Sequence, residues 1–534
     1  GATNTAVGSN SLNANTTASN NVAVGYNSLN ANTTGTSLVA IGTNALDSNT
    51  TAGYNTAVGK DVLGSNTTGA SNSALGTWAL DANTTGTQNV AVGVNSLGAN
   101  TTASYNTAVG ERAMLVNTTG AQNVAIGRGS LQANTTASYN IGIGYNSLAA
   151  NTTGATNTAV GTNALTANTT GAYNTGVGYG VIKSSTTGNH LTALGREALE
   201  DNTTGSWNIA IGSYALNANT TGNKNTAVGY TALTACTTGG DNTAIGYAAL
   251  DSVTTGAHHV AVGHGALASQ TTEHRNTAVG WNALYSCVSG GNNVAVGYEA
   301  LVNKTGGQCV GIGRHAGGGA GGSGEVFVGY YAGAANTAND TVGIGYNCLQ
   351  SNTSGAGNVA IGRDALKTNT TANDNTALGY YCLDANTTGY SNTGVGSGAL
   401  GANTTGYQNT AVGRLALASN TTAVRNTAVG FEALEANTTG ARNTAVGFYA
   451  LSENTTANDN TAFGDAALYV NTTGVDNTAL GRACLAANTT GQRNIAVGYS
   501  ALGANTTGDN NVAVGHHALV ANTTAHNNTA MGRN

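Results

Sequence analysis

One 17-residue phrase, close to N-T-A-V-G-x-x-A-L-x-x-N-T-T-G-x-x, recurs from end to end of this chain and restricts it to folds in which successive copies stack on one another. A marker glycine falls at Gly8, Gly25, Gly42 and so on to Gly532. Of its 31 intervals, 28 are 17 residues long and three, ending at Gly313, Gly329 and Gly345, are 16. Seventeen residues are too few for two packed helices and their turns, and Gly, Asn and Thr disfavour helix. Each copy therefore reads as one coil of an all-β, parallel β-solenoid of about 31 coils, forming a single continuous domain over 1–534 with a short irregular segment near 313–345. Because the sequence opens and closes in mid-repeat, it is expected to be an excerpt of a longer polypeptide.

Within N-T-A-V-G, apolar or β-branched residues recur three before and one before the glycine, the period-2 signature of a strand with one inward face. That reading points Thr56 and Val58, Val90 and Val92, and Ile141 and Ile143 into the coil. They would face leucines such as Leu29, Leu46 and Leu80 on a second short strand, across a thin two-sheet core. The residue between the two flanks is Ala or Gly at 31 of 32 rungs, Phe327 being the exception, and alternation turns this column outward. A solvated face would accept Lys, Glu or Gln, so a strip held to Ala and Gly implies close approach of another backbone. Ala23, Ala40, Ala57, Ala91 and Ala108 are thus expected to form the buried face of a homo-oligomer; a bare flat face on a monomer, turned to ice or to nothing, is the alternative. Two asparagine columns, Asn4, Asn21 and Asn55 before the glycine and Asn15, Asn32 and Asn49 after it, are expected to stack as amide ladders at the ~4.8 Å strand spacing, giving a fibre of about 150 Å.

Charged residues make up 7% of the chain and its net charge is -6, which removes the electrostatic basis for a nucleic-acid or anionic-membrane partner. No apolar run is long enough to span a bilayer, so no membrane insertion is expected in this segment. Glycine, at 78 residues with no proline, suits a backbone needing positive φ at one fixed place per coil. No Ser/His/Asp constellation repeats or clusters, so the chain is read as non-catalytic, with no cofactor and no metal. His258, His259, His264 and His274 lack carboxylate or thiolate company and read as surface histidines. The glycine run from Gly317 to Gly324 lacks the G-K-[ST] of a phosphate loop. The six cysteines do not pair by column and rung, and are expected to be free thiols. N-T-T is a glycosylation sequon, but consecutive glycans at the rung spacing would collide. A structural Asn/Thr turn is the first reading and sparse glycosylation the second.

The position after the marker glycine is the candidate contact surface. It carries Tyr230, Tyr247, His264, Trp281, Tyr298, Tyr330, Tyr346, Tyr380, Phe431, Phe448 and Tyr499, interspersed with arginines. Such a row either contacts a ligand, stacking on sugars or a partner protein, or stacks on itself and shields the turn.

The phrases NVAVGYNSL (Asn21 to Leu29), NTAVGYTAL (Asn225 to Leu233) and NVAVGYEAL (Asn293 to Leu301) resemble the head repeats of trimeric autotransporter adhesins and related phage and algal-virus fibre repeats. The repeat here is longer, with N-T-T-G as the apparent insertion. The resemblance implies a left-handed β-roll, three chains packed through the small-residue sheet, a location on a cell or virion surface outside the cell, and a cell-surface glycan or protein as receptor. The leading expectation is a structural extracellular fibre or adhesin stalk presenting repeated contacts. An ice-binding β-solenoid and a tailspike-like glycan-binding or depolymerase fibre are the alternatives.

Overall fold

A computed structural model describes residues 2–534, which fall into two compact units, Gly1–His274 and Arg275–Asn534. The first carries strands β1 (Thr5–Val7) through β16 (Val260–Val262) and the second β17 (Thr277–Val279) through β32 (Thr529–Met531). Each unit is a parallel β-solenoid with about 17 residues per turn, and no helix occurs among the described residues. Strands are three residues long and pair in register with the strand one repeat on: Thr56 with Ser73, Ala57 with Ala74 and Val58 with Leu75 in the first unit, Thr427 with Thr444, Ala428 with Ala445 and Val429 with Val446 in the second.

Coil-to-coil bonding continues outside the strands. Leu29 N–H donates to Ala45 O at 3.0 Å, Ala31 N–H to Asp47 O at 2.9 Å and Thr33 N–H to Thr50 O at 2.9 Å. Keeping N–H and C=O aimed at neighbouring coils around tight corners calls for left-handed backbone, and non-glycine residues supply it: Asn27 at φ 57°, Leu29 at 51° and Ser37 at 58°. The expected second strand at the leucine is therefore absent, and positive φ occurs several times per coil rather than once. Each left-handed residue costs about 1–2 kcal/mol. For the leucines this is offset by full burial, about 1.5–3 kcal/mol per side chain. At the marker position only glycine serves. Gly59 has φ 139°, and a Cβ there would lie 2.9 Å from both the Gly76 carbonyl carbon and Val62 Cγ2.

Strand orientation is the reverse of the sequence expectation. Ala23, Ala40, Ala57, Ala91 and Ala108 are completely buried within their own coils, while the Thr, Val and Ile flanks lie outside. Where the column is glycine, the wall it faces can be measured. A Cβ on Gly176 would sit 2.5 Å from Leu165 Cδ1 and 3.1 Å from Val181 Cγ1. The coil is thin enough that the leucine on the opposite turn leaves space for a methyl group at most. Restriction to Ala and Gly thus reflects a close approach, as expected, but the approaching group is the chain's own leucine column. This alanine column cannot serve as an oligomer face.

The irregular segment of the second unit obeys the same volume rule. Gly317 and Gly333 occupy leucine positions, and Phe327 occupies an alanine position in the strand Val326–Val328. The Phe327 ring turns inward, fully buried, and fills the space both leucines vacate. A Cβ on Gly317 would lie 3.0 Å from its Cδ2, one on Gly343 would lie 2.8 Å from its Cδ1, and one on Gly333 would meet the ring directly. One large residue has replaced two, with glycines on three sides to admit it.

Candidate functional site

Three surfaces or columns carry the chemistry this fold presents. The first, missed by the sequence reading, is the outward strand face. Its trailing flank, one residue before the marker glycine, is Val, Ile, Leu, Phe or Met at every rung. Ile41 is 40% exposed, Leu75 50% and Phe463 49%. Its leading flank is Thr at 17 of 32 rungs, a polar tolerance that an inward column of so thin a coil would not show and that could have revealed the true orientation.

The second is the turn edge, where the marker glycine delivers the next side chain to solvent. In the first unit Tyr230 stacks on Tyr247 at 5.6 Å, and Tyr247 on His264 at 4.9 Å. In the second unit the stack runs further. Trp281 lies 4.7 Å from Tyr298, the Arg314 guanidinium sits 5.3 Å from Tyr298 and 5.7 Å from Tyr330, and Tyr330 stacks on Tyr346 at 5.2 Å. Arg363 then lies between Tyr346 and Tyr380 at 5.5 and 5.8 Å. Further along, Phe431 and Phe448 stack at 5.2 Å with Arg414 over Phe431, and Arg482 lies over Tyr499, itself stacked on His516. Neighbours occupy the ring faces, so the groups turned outward are ring edges, hydroxyls and guanidinium N–H groups. A second stack, Tyr173–His190–Trp207, at 5.0 and 6.1 Å, stands five residues before the glycine, where Tyr54, Tyr105 and Tyr139 also fall; that recurrence was legible in the sequence and went unread.

The third is the pair of asparagine columns, which form different ladders. In the column after the glycine, Asn49 Nδ2 donates to Asn32 Oδ1 at 3.0 Å and to Ala52 O at 3.1 Å, an amide-to-amide ladder. In the column before it, Asn55 Oδ1 accepts the backbone N–H of Asn72 at 2.8 Å, while Asn55 Nδ2 donates to Gly69 O at 2.8 Å. At the N-terminal coil, Asn4 Oδ1 accepts from Asn21 N–H, and Asn4 and Asn15 both donate to Ala18 O. The sequon asparagines Asn32, Asn49 and Asn66 are fully buried, each with its Nδ2 bonded to a carbonyl. The first sequon threonine bonds coil to coil, as in Thr33 Oγ1 to Thr50 O at 3.1 Å. N-T-T is thus a turn element whose asparagine is buried, and folded coils hide these acceptors from glycosylation.

Substitutions in the columns keep the bonding where they can. His259, expected on the surface, is buried in an asparagine position, with Nε2 2.7 Å from Glu273 O, the carbonyl an asparagine would reach. All six cysteines are buried and none is in a disulfide among the described residues, and burial pushes the Cys236 thiol up to about 11 and those of Cys348 and Cys382 up to about 12. Among the described residues no cluster of three His, Cys, Asp or Glu could hold a metal ion, and no helix is long and apolar enough to cross a membrane. No protein-family model matches the chain, and no curated protein is detectably similar to it.

Proposed function

We propose that this chain is a structural, non-catalytic fibre segment that assembles with copies of itself through the outward Thr/Val/Ile strand face. The observation carrying this reading is the trailing flank, apolar at every rung although it points away from its own coil. Sixteen rungs at ~4.8 Å, two side chains wide, give a strip of roughly 500 Å² in each unit, of the size of the largest patches on monomers, which are often functional surfaces. The resemblance to trimeric adhesin heads supports three chains and an extracellular place on a cell or virion. Turn edges then face outward from the assembly, presenting ring edges and guanidinium groups as repeated weak contacts for a glycan or protein receptor, whose sum is avidity. Light scattering of the purified chain tests the assembly. A particle of three chains is expected, and a monomer at micromolar concentration would refute it.

The leading flank favours a second reading. Its threonines stand outward beside a row of methyl groups on regularly spaced parallel strands, a flat grid of hydroxyls and methyls suited to ordered water. If the chain is monomeric, ice binding takes precedence, and a thermal-hysteresis measurement decides it.

A further inference from the structure

In and just before the irregular segment of the second unit, each asparagine column carries one ionisable residue. Lys304 stands in the column after the glycine and Glu325 in the column before it. Both side chains are completely buried and form an ion pair. The other carboxylate oxygen, Glu325 Oε1, accepts from Asn336 Nδ2 at 2.7 Å, and the Asn336 carbonyl Oδ1 accepts from Asn352 Nδ2. Apart from the carboxylate, Lys304 Nζ has no hydrogen-bond partner. Glycines clear the room: a Cβ on Gly322 would collide with Glu325 Oε1, and one on Gly306 with the Gly322 carbonyl. Within the glycine run, Gly322 is thus the position that the buried carboxylate requires.

As a plain ion pair the arrangement is a poor exchange. Withdrawing two charges from water costs several kcal/mol each, where neutral asparagines fill the same positions along most of the chain. We propose instead that Lys304 and Asn336 become joined by an intramolecular amide bond, with Glu325 as the proton relay between their nitrogens.

Contacts run from Lys304 to Glu325, from Glu325 to Asn336 and from Asn336 to Asn352. Lys304 gives a proton to Glu325 Oε2 and becomes a neutral amine, the nucleophilic form. Its Nζ attacks Asn336 Cγ, and the charge developing on Oδ1 is met by the Asn352 Nδ2 donor. Glu325 Oε1, already on Nδ2, returns a proton to that nitrogen. The Cγ–Nδ2 bond breaks, the second proton that Nζ must shed to become an amide N–H passes by way of Glu325 to the departing nitrogen, and that nitrogen leaves as ammonium, carrying both protons the Lys304 ammonium has lost. Nothing is oxidised or reduced and Glu325 is regenerated. Burial, which raises the Glu325 carboxyl above its usual range, favours the neutral acid that takes part in the sequence.

The product ties the coil holding Lys304 to that holding Asn336 where the asparagine ladder is broken, a covalent tie in place of the missing hydrogen bonds. Intact-mass measurement of the full chain should give the sequence mass less one ammonia. Trypsin cannot cut after an acylated lysine, so the digest should contain residues 276–314 joined to 315–363. Glu325→Gln should restore the full mass and separate the peptides, with circular dichroism confirming that the coils persist. Full sequence mass with cleavage after Lys304 overturns the proposal. So does loss of one water with Lys304 joined to Glu325, or an ammonia loss that survives in Lys304→Arg, which would mark a succinimide. A Glu325→Gln chain that still links overturns the relay, and if that variant does not fold, the wild-type digest decides the bond.

Discussion

Asn72 and Asn83, one from each asparagine column, donate to the same acceptor, the carbonyl oxygen of Gly86, at 2.9 and 3.0 Å. Two ladders that look independent in the sequence thus converge on a single carbonyl in many coils, so a corner of the solenoid is closed there by side chains. That carbonyl lies close to both amides, and the position holds Gly or Ala at most rungs, with Glu273 an exception: a Cβ on Gly86 would sit close to Asn83 Oδ1 and 3.1 Å from Asn100 Nδ2.

Asn83→Ala should therefore leave three partners short at once: Gly86 O loses one donor, Asn66 Oδ1 loses its 2.8 Å bond, and Asn100 Nδ2 its 2.9 Å bond. A local loss of about 1–3 kcal/mol is expected for the unsatisfied buried groups. Hydrogen exchange should show faster opening of the coils around residue 83 and unchanged protection several coils away. Uniform protection throughout would mean the ladder is dispensable.

Inward and outward positions of one strand should respond oppositely. Ala91→Leu adds volume where the opposing wall leaves none and should destabilise by about 1–3 kcal/mol in thermal unfolding. Val92→Asp, on the outer flank, should leave the isolated coil within about 0.5 kcal/mol of wild type. In light scattering the same variant should weaken assembly. The opposite pattern, with Ala91→Leu dispersing assemblies and sparing stability, would restore the alanine face as the interface.

Phe327→Ala should open a cavity between Gly317 and Gly333 and cost about 3–5 kcal/mol. The volume swap adds a sharper expectation. Gly333 has φ 58°, two degrees beyond the 48–56° spanned by the leucine column, so Gly333→Leu can be accepted once the ring is gone. The double variant should recover a large part of the loss, whereas Gly333→Leu alone should clash with the ring. Strict additivity in a double-mutant cycle would remove the swap.

The period, the coil length, the parallel pairing and the asparagine columns were all legible from spacing, because stacking forces equivalent residues into columns. Orientation was legible only in the threonines of the leading flank. Alternation says that Ala57 and its neighbours Thr56 and Val58 face opposite ways, but not which way is in, and hydrophobicity pointed to the larger residues. Coil thickness decided it, a tertiary quantity set by where Leu63 and its column sit, and those leucines lie in left-handed turns that no periodicity announces. The Lys304–Glu325 pair was hidden for a related reason. Each residue stands out in its own column only once the columns are known to be adjacent and buried.

Cys348 and Cys382 give a pH expectation whose sign is set by burial. Desolvation pushes both thiols from an ordinary 9.0 up to about 12. Below pH 9 the thiols are protonated in folded and unfolded chains alike, and their contribution to stability is fully present. As pH rises through 9 the unfolded chain ionises while the folded one does not, so stability falls, by about 1.4 kcal/mol per pH unit per thiol, until the folded value is reached. Melting temperatures measured between pH 8 and 11 should therefore decline. The decline should be shallower in the Cys348→Ala, Cys382→Ala double variant, since alanine is the residue this column carries at most rungs and should preserve the coil. Equal slopes for the two proteins would show that the thiols are accessible in the folded state, and native thiols should then react with iodoacetamide at pH 8 as fast as those of the unfolded chain.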